Sequence, residues 1–97
     1  MRIVYLTKLN EFALAHSNSR KSIAAWKVIT EAATWKNKQD VLADFPNAKM
    51  IKNNRARFEI QHNAYRLIVH IDYVDQLVEI RFIGTHAACD KIDPATI

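Results

Sequence analysis

Ninety-seven residues, 49% of them hydrophobic, with one glycine and two prolines, fit one folded domain over 1–97 and leave no room for a second core. Fourteen Lys and Arg against ten acids give a net charge of +4, which is compatible with binding nucleic acid or an acidic protein and diagnostic of neither. No apolar run reaches the roughly 18 residues of a membrane span; MRIVYLTKLNEF meets charge too early for a secretory signal; and the lone Cys89 has no partner for an internal disulfide, so a cytoplasmic location and no membrane partner are expected.

MRIVYL reads as a short strand in which Ile3 and Tyr5 alternate with Arg2, Val4 and Leu6. Thr7 is placed to cap a helix carrying Leu9, Phe12, Ala13 and His16 along one side, at the spacing of a half-buried helix. HSNS breaks it, and Ser17 or Ser19 can cap a second helix from about Arg20 to Trp35, with a buried stripe of Ile23, Ala25 or Trp26, Ile29, Ala32 and Ala33. So short a break predicts a helical hairpin. Trp26 and Trp35, nine positions apart on that helix, would point in opposite directions, so that one of them faces a partner or a neighbouring loop. Asn37 and Asp40 then predict one short helical turn, ended by Pro46.

The remainder reads as strands. AKMIK is short, NNR is a turn, and RARFEI sets Ala56, Phe58 and Ile60 against Arg55, Arg57 and Glu59. At the next turn, Asn63 is the residue suited to a left-handed backbone. From Tyr65, period-two alternation places Tyr65, Leu67, Val69 and Ile71 on one face, and Arg66, Ile68, His70 and Asp72 on the other. After YVDQ, Val78, Ile80 and Phe82 share a face, opposite Leu77, Glu79, Arg81 and Ile83. Segregated helices and strands make the class α+β: an N-terminal strand and a helical hairpin packed on a three- to four-stranded antiparallel sheet whose far face stays partly open.

That open face would present Arg57, Arg81 and either Arg66 or His70. Guanidiniums gathered in one concavity repel one another unless an anion sits among them, and their fork matches phosphate. The competing reading pairs each arginine with Glu59, Asp72 or Glu79 on the same strands. The spacing of His16, His62, His70 and His86 matches no established ligand pattern, so no metal is expected, and a chain with one glycine has no phosphate-cradling loop, so no nucleotide cofactor is expected either.

RFIGTHAACDKID, residues 81–93, resembles the C-terminal signature of the HigB-type toxins of bacterial toxin–antitoxin systems, RFIGTHxxYDKID, and NAYRLIVHIDY resembles the strand before it. The resemblance implies a RelE-like fold. It also implies a metal-independent mRNA interferase that acts on translating ribosomes through attack of a ribose 2′-hydroxyl. Its expected partners are mRNA, the ribosome and a cognate helix-turn-helix antitoxin, with operator DNA bound through the antitoxin complex. On this reading His86 is the acid–base group, Arg81 and Arg66 stabilise the phosphorane, and Lys91 shares the catalytic role with a capping one; Arg57, Arg55, His70 and Tyr65 would bind RNA. Cys89 stands where the family has tyrosine, which leaves any stacking or proton-transfer role of that aromatic to Tyr65 or Tyr73. A non-catalytic RNA-binding or co-repressor module of the same fold is the alternative, and a toxin of related fold with another target is a third.

Overall fold

In chain order the elements are β1 (Arg2–Val4), α1 (Leu6–Ala15), α2 (Arg20–Ala32), α3 (Lys38–Asp44), β2 (Lys49–Ile51), β3 (Arg55–Ile60), β4 (Tyr65–Asp72), β5 (Leu77–Thr85) and α4 (His86–Cys89), in a computed structural model that describes residues 1–97. The strands form one mixed sheet in the order β1-β5-β4-β3-β2. β2 to β5 are the consecutive antiparallel run expected of an α+β chain. The N-terminal strand, whose place the sequence left open, closes the far edge in parallel with β5, Ile3 opposite Val78.

One face of the sheet is the core. Ala56, Phe58, Ile60, Leu67, Val69, Ile71, Val78 and Ile80 are buried there with Leu9 from α1, Ile23 and Trp26 from α2, and Val41 from α3. At about 25 cal/mol per Å² of apolar surface removed from water, this burial is the main force holding helices to sheet. The buried stripe of α2 is Ile23, Trp26 and Thr30, whereas Ile29 is 40% exposed and Ala25 and Ala32 are exposed. The helix ends at Ala32, three residues earlier than its periodicity suggests, so Trp35 lies on the connecting segment. The opposed phases expected of the two tryptophans therefore do not arise, and Trp26 and Trp35 are both in the core, 3% and 1% exposed. Trp35 donates its indole N–H to Asp44 Oδ2 at 2.8 Å, tying the end of α3 to the core.

The helix starts show what sequence signals capture. Asn37 caps α3, its Oδ1 accepting from the Asp40 N–H at 3.0 Å, and the helix runs seven residues rather than one turn. Thr7 is no cap: α1 begins at Leu6, behind Tyr5 in the left-handed region at φ 64°. Ser19 holds the N-cap position of α2 but makes no capping bond; it is buried and donates to the His16 carbonyl at 2.6 Å, closing the 3₁₀ turn Ser17–Ser19 of the helical hairpin. With no glycine available, the turns use other left-handed residues: Asn53 and Asn54 between β2 and β3, then Gln61 and His62 between β3 and β4. The residue suited to that second turn by type, Asn63, is not left-handed, because the turn's register puts the two positive-φ positions earlier.

A β-bulge decides which face β5 shows. Val69 pairs with Ile80, but Ile68 pairs with Phe82, so Arg81 is an extra residue in β5. Beyond it the alternation inverts. Ile83 now lies opposite Leu67 and packs against the core, while Phe82 joins Ile68 on the far face. The period-two expectation that Val78, Ile80 and Phe82 share the helix-covered face is therefore wrong for Phe82, since one inserted residue moves every later side chain to the other side.

Candidate functional site

The far face of the sheet is built from the alternate residues of β3, β4 and β5. Register sets them in rows: Arg55, His70 and Glu79; then Arg57, Ile68 and Phe82; then Glu59, Arg66 and Gly84. α4 packs against β4 and β5 at one end of this face. The tail beyond it is held by Arg55, whose Nη2 and Nε donate to the Ile97 oxygen at 2.6 and 3.2 Å, and by Asn53 Nδ2, which donates to the Ala95 carbonyl at 3.0 Å. Ile68, which lies on this face, is fully buried.

Two carboxylates organise the charges. Glu59 Oε1 lies 3.6 Å from Arg57 Nε and 3.7 Å from Arg66 Nε, and its Oε2 lies 3.3 Å from His86 Nε2. Glu59 Oε2, Arg66 Nε and His86 Nε2 are shielded from solvent yet lack hydrogen-bond geometry with any partner, so the cluster is close without being locked. Glu79 Oε1 accepts from Arg81 Nη2 at 3.3 Å and sits 2.8 Å from His70 Nδ1. Arg66 also reaches Asp90 Oδ1 at 3.6 Å. Glu59 thus faces two guanidiniums and an imidazole, and Asp90 brings a second carboxylate to Arg66, on a partly exposed surface.

Local structure aims His86. β5 continues through Gly84 and Thr85, and His86 is the first residue of α4. Thr85 caps α4, its Oγ1 accepting from the Ala88 N–H at 3.2 Å, which sets the direction in which the chain leaves the sheet and the imidazole enters the cluster. His86 remains the most accessible member, its side chain 38% exposed.

The residues singled out from the sequence are therefore distributed as follows. Arg57, Arg66 and His86 meet at Glu59; Arg81 and His70 meet at Glu79; Arg55 is engaged by the tail. Lys91 is exposed and its ammonium makes no ion pair, while its neighbour Asp90 is the one that touches the cluster. Tyr65 does not face the site. Its parity puts it on the core side, in a cluster with Phe12 and His16, and its hydroxyl donates to Asn18 Oδ1 at 2.8 Å. Tyr73 is remote as well, at the β4–β5 turn, where burial, with the Asp40 carboxylate second, raises its phenol above the ordinary value. Cys89 is buried at 4% exposure.

Sequence reasoning missed Glu59 as a member of the site and assigned it only to neutralising an arginine. Its alternation with Arg57 was the signal available; its meeting with His86, far along the chain, was not. Asp72, the other acid expected to pair with an arginine, instead accepts from the Val74 and Asp75 N–H groups and shapes the β4–β5 turn. The largest cleft, about 760 Å³, lies away from this cluster, between α2 and the free side of β3, and shares only Glu59 with it. A shallower groove of about 410 Å³ runs between α1 and the bulged part of β5.

The family model described as HigB_toxin, the RelE-like toxic component of a toxin–antitoxin system, matches residues 19–92, which include all of the clustered residues. Comparison with curated proteins returned no match.

Proposed function

The chain belongs to the HigB toxin family, RelE-like toxic components of toxin–antitoxin systems, and on that premise we propose that it is an endoribonuclease that cuts mRNA without a metal, on translating ribosomes in the cytoplasm, and is neutralised by its antitoxin. The observation that carries this reading is the carboxylate of Glu59 standing 3.3 Å from the His86 imidazole with two guanidiniums beside it. Cleavage by the 2′-hydroxyl needs a proton acceptor at that oxygen, a proton donor at the 5′-oxygen that leaves, and positive charge around the pentavalent phosphorus. Glu59, an acceptor when ionised, takes the 2′ proton; the 2′-oxygen bonds to phosphorus; the P–O5′ bond breaks, and the 5′-oxygen receives the proton held on His86. A 2′,3′-cyclic phosphate and a 5′-hydroxyl end result. Arg57 and Arg66 offset the charge on the equatorial oxygens, and Arg81, on the neighbouring carboxylate, binds an adjacent phosphate.

Ribosome dependence fits an open, shallow face with few groups to orient a strand, since the ribosome then supplies the positioning on which rate depends. The antitoxin is a helix-turn-helix protein in this proposal, and operator DNA is bound through the complex of the two.

One observation favours a second reading, a non-catalytic RNA-binding or co-repressor module: Glu59 and Glu79 already neutralise part of the cationic face. Primer extension on mRNA from cells expressing wild type, His86→Ala or Arg66→Ala without antitoxin separates the two. The nuclease reading expects cuts inside reading frames with wild type and none with either variant. Purified wild type that leaves mRNA intact in the presence of translating ribosomes would overturn it.

A further inference from the structure

We infer that Phe82 is a stacking platform for the nucleobase next to the phosphate held at Arg66 and His86, an inference that rests on the proposed reading of this face as the RNA site. Period two would bury this phenyl under the helices. The bulge at Arg81 sends Ile83 there instead and brings Phe82 out, half-buried, on the face that carries Arg57, Arg66 and His86. Phe82 lies one ladder position from the Arg66–Gly84 pair. That is about 7 Å along the strand and about 5 Å between strands, within the reach of one nucleotide from its base to its phosphate.

Gly84 holds the ring in place by having no side chain. A Cβ there would stand 2.8 Å from Phe82 Cζ and 3.4 Å from both Cε atoms, so the tip of the ring lies over the glycine. The backbone at Gly84 does not require glycine, since its φ is not positive. What the only glycine of the chain supplies is room for the phenyl. Beside the ring opens the 410 Å³ groove lined by Lys8, Glu11, Phe12, Arg81, Phe82 and Ile83, which gives a base somewhere to lie and puts cations at its edge. The other aromatics considered for the site are elsewhere, Tyr65 in the Phe12–His16 cluster and Tyr73 at the far turn. An accessible ring among guanidiniums is the arrangement by which proteins bind single-stranded nucleic acid without reading its sequence.

The test uses the full chain and an mRNA carrying 2-aminopurine next to a 2′-deoxy scissile position, offered both free and on ribosomes. Stacking on Phe82 quenches the 2-aminopurine fluorescence on binding. Phe82→Tyr keeps the quench; Phe82→Leu abolishes it and weakens binding roughly five- to hundredfold. On cleavable mRNA, Phe82→Leu raises KM while the rate at saturation changes little, a split that a misfolded variant would not give. Quenching in neither the free nor the ribosome-bound setting with wild type, or an undiminished quench with Phe82→Leu, overturns the inference. Cleavage with no quench would leave the nuclease reading standing and this one refuted; a quench with no cleavage anywhere would do the reverse.

Discussion

Replacing Glu59 by glutamine keeps its shape and removes its charge, so the variant separates proton transfer from packing. A positioned general base contributes about 10²- to 10⁴-fold, or roughly 3–5 kcal/mol of barrier, and Glu59→Gln is expected to lose that much in the rate at saturating RNA. Its effect on stability should be far smaller. The three contacts, at 3.3 to 3.7 Å, are made on a partly wetted surface, where a single ion pair contributes about 0.2–1 kcal/mol. Their combined loss, about 1–2 kcal/mol, lowers Tm by roughly 4–8 °C per kcal/mol in a chain of this size. Affinity moves the other way. Taking a negative charge from among Arg57, Arg66 and His86 should tighten binding of an uncleavable 2′-deoxy RNA by about 1 kcal/mol, or roughly fivefold, at low salt. Quench-flow cleavage, fluorescence anisotropy and thermal unfolding on one preparation give all three numbers. A rate within threefold of wild type, or a weaker complex with uncleavable RNA, would refute the assignment of Glu59 as the base.

Three further perturbations probe the frame. Leu67→Ala, at a side chain with no exposure under the helices, is expected to cost about 2–5 kcal/mol; a urea midpoint shift worth less than about 1 kcal/mol would mean that this part of the core is loosely packed. Gly84→Ala forces Phe82 to move from a 2.8 Å approach at a cost of about 1–3 kcal/mol, and most of that cost disappears when Phe82→Ala is the background, as a double-mutant cycle measures. Tyr73 is held neutral in the fold by burial, with Asp40 second, so its phenol ionises later than in the unfolded chain. The unfolded state then binds fewer protons at alkaline pH, and the stability this residue contributes is present below about pH 10 and lost as pH rises through the folded value. The urea midpoint of Tyr73→Phe should fall less steeply than that of wild type above pH 10; parallel curves would contradict it.

Much of the fold was legible because its signals are local. Asn37 three residues before Asp40 names a cap, alternation through RARFEI and YRLIVHID names two strands and their faces, and HSNS marks the break between α1 and α2. The failures were residue-type signals overruled by the backbone conformation and bonding around them. Thr7 and Ser19 have the right chemistry for caps, but the chain enters α1 through a left-handed Tyr5, and Ser19 is spent on closing the hairpin turn. Parity grouped Tyr65 with Leu67 and Phe82 with Ile80, while the resemblance offered Tyr65 to RNA. Parity held for Tyr65 and sent it to the core side with Phe12, while the bulge reversed it for Phe82.

By itself the sequence determined the α+β class, the antiparallel run of strands and the family signature around His86, because each is written in residues adjacent or nearly so. The tertiary structure decided the Glu59 cluster, the parallel docking of β1, the capture of Arg55 by the tail and the side of the sheet on which Phe82 lies. Glu59 meets His86 only because β3, β4 and β5 stack in one register and α4 turns back at Thr85. A contact between residues that far apart exists only once the whole sheet has formed, so neither composition nor spacing encodes it.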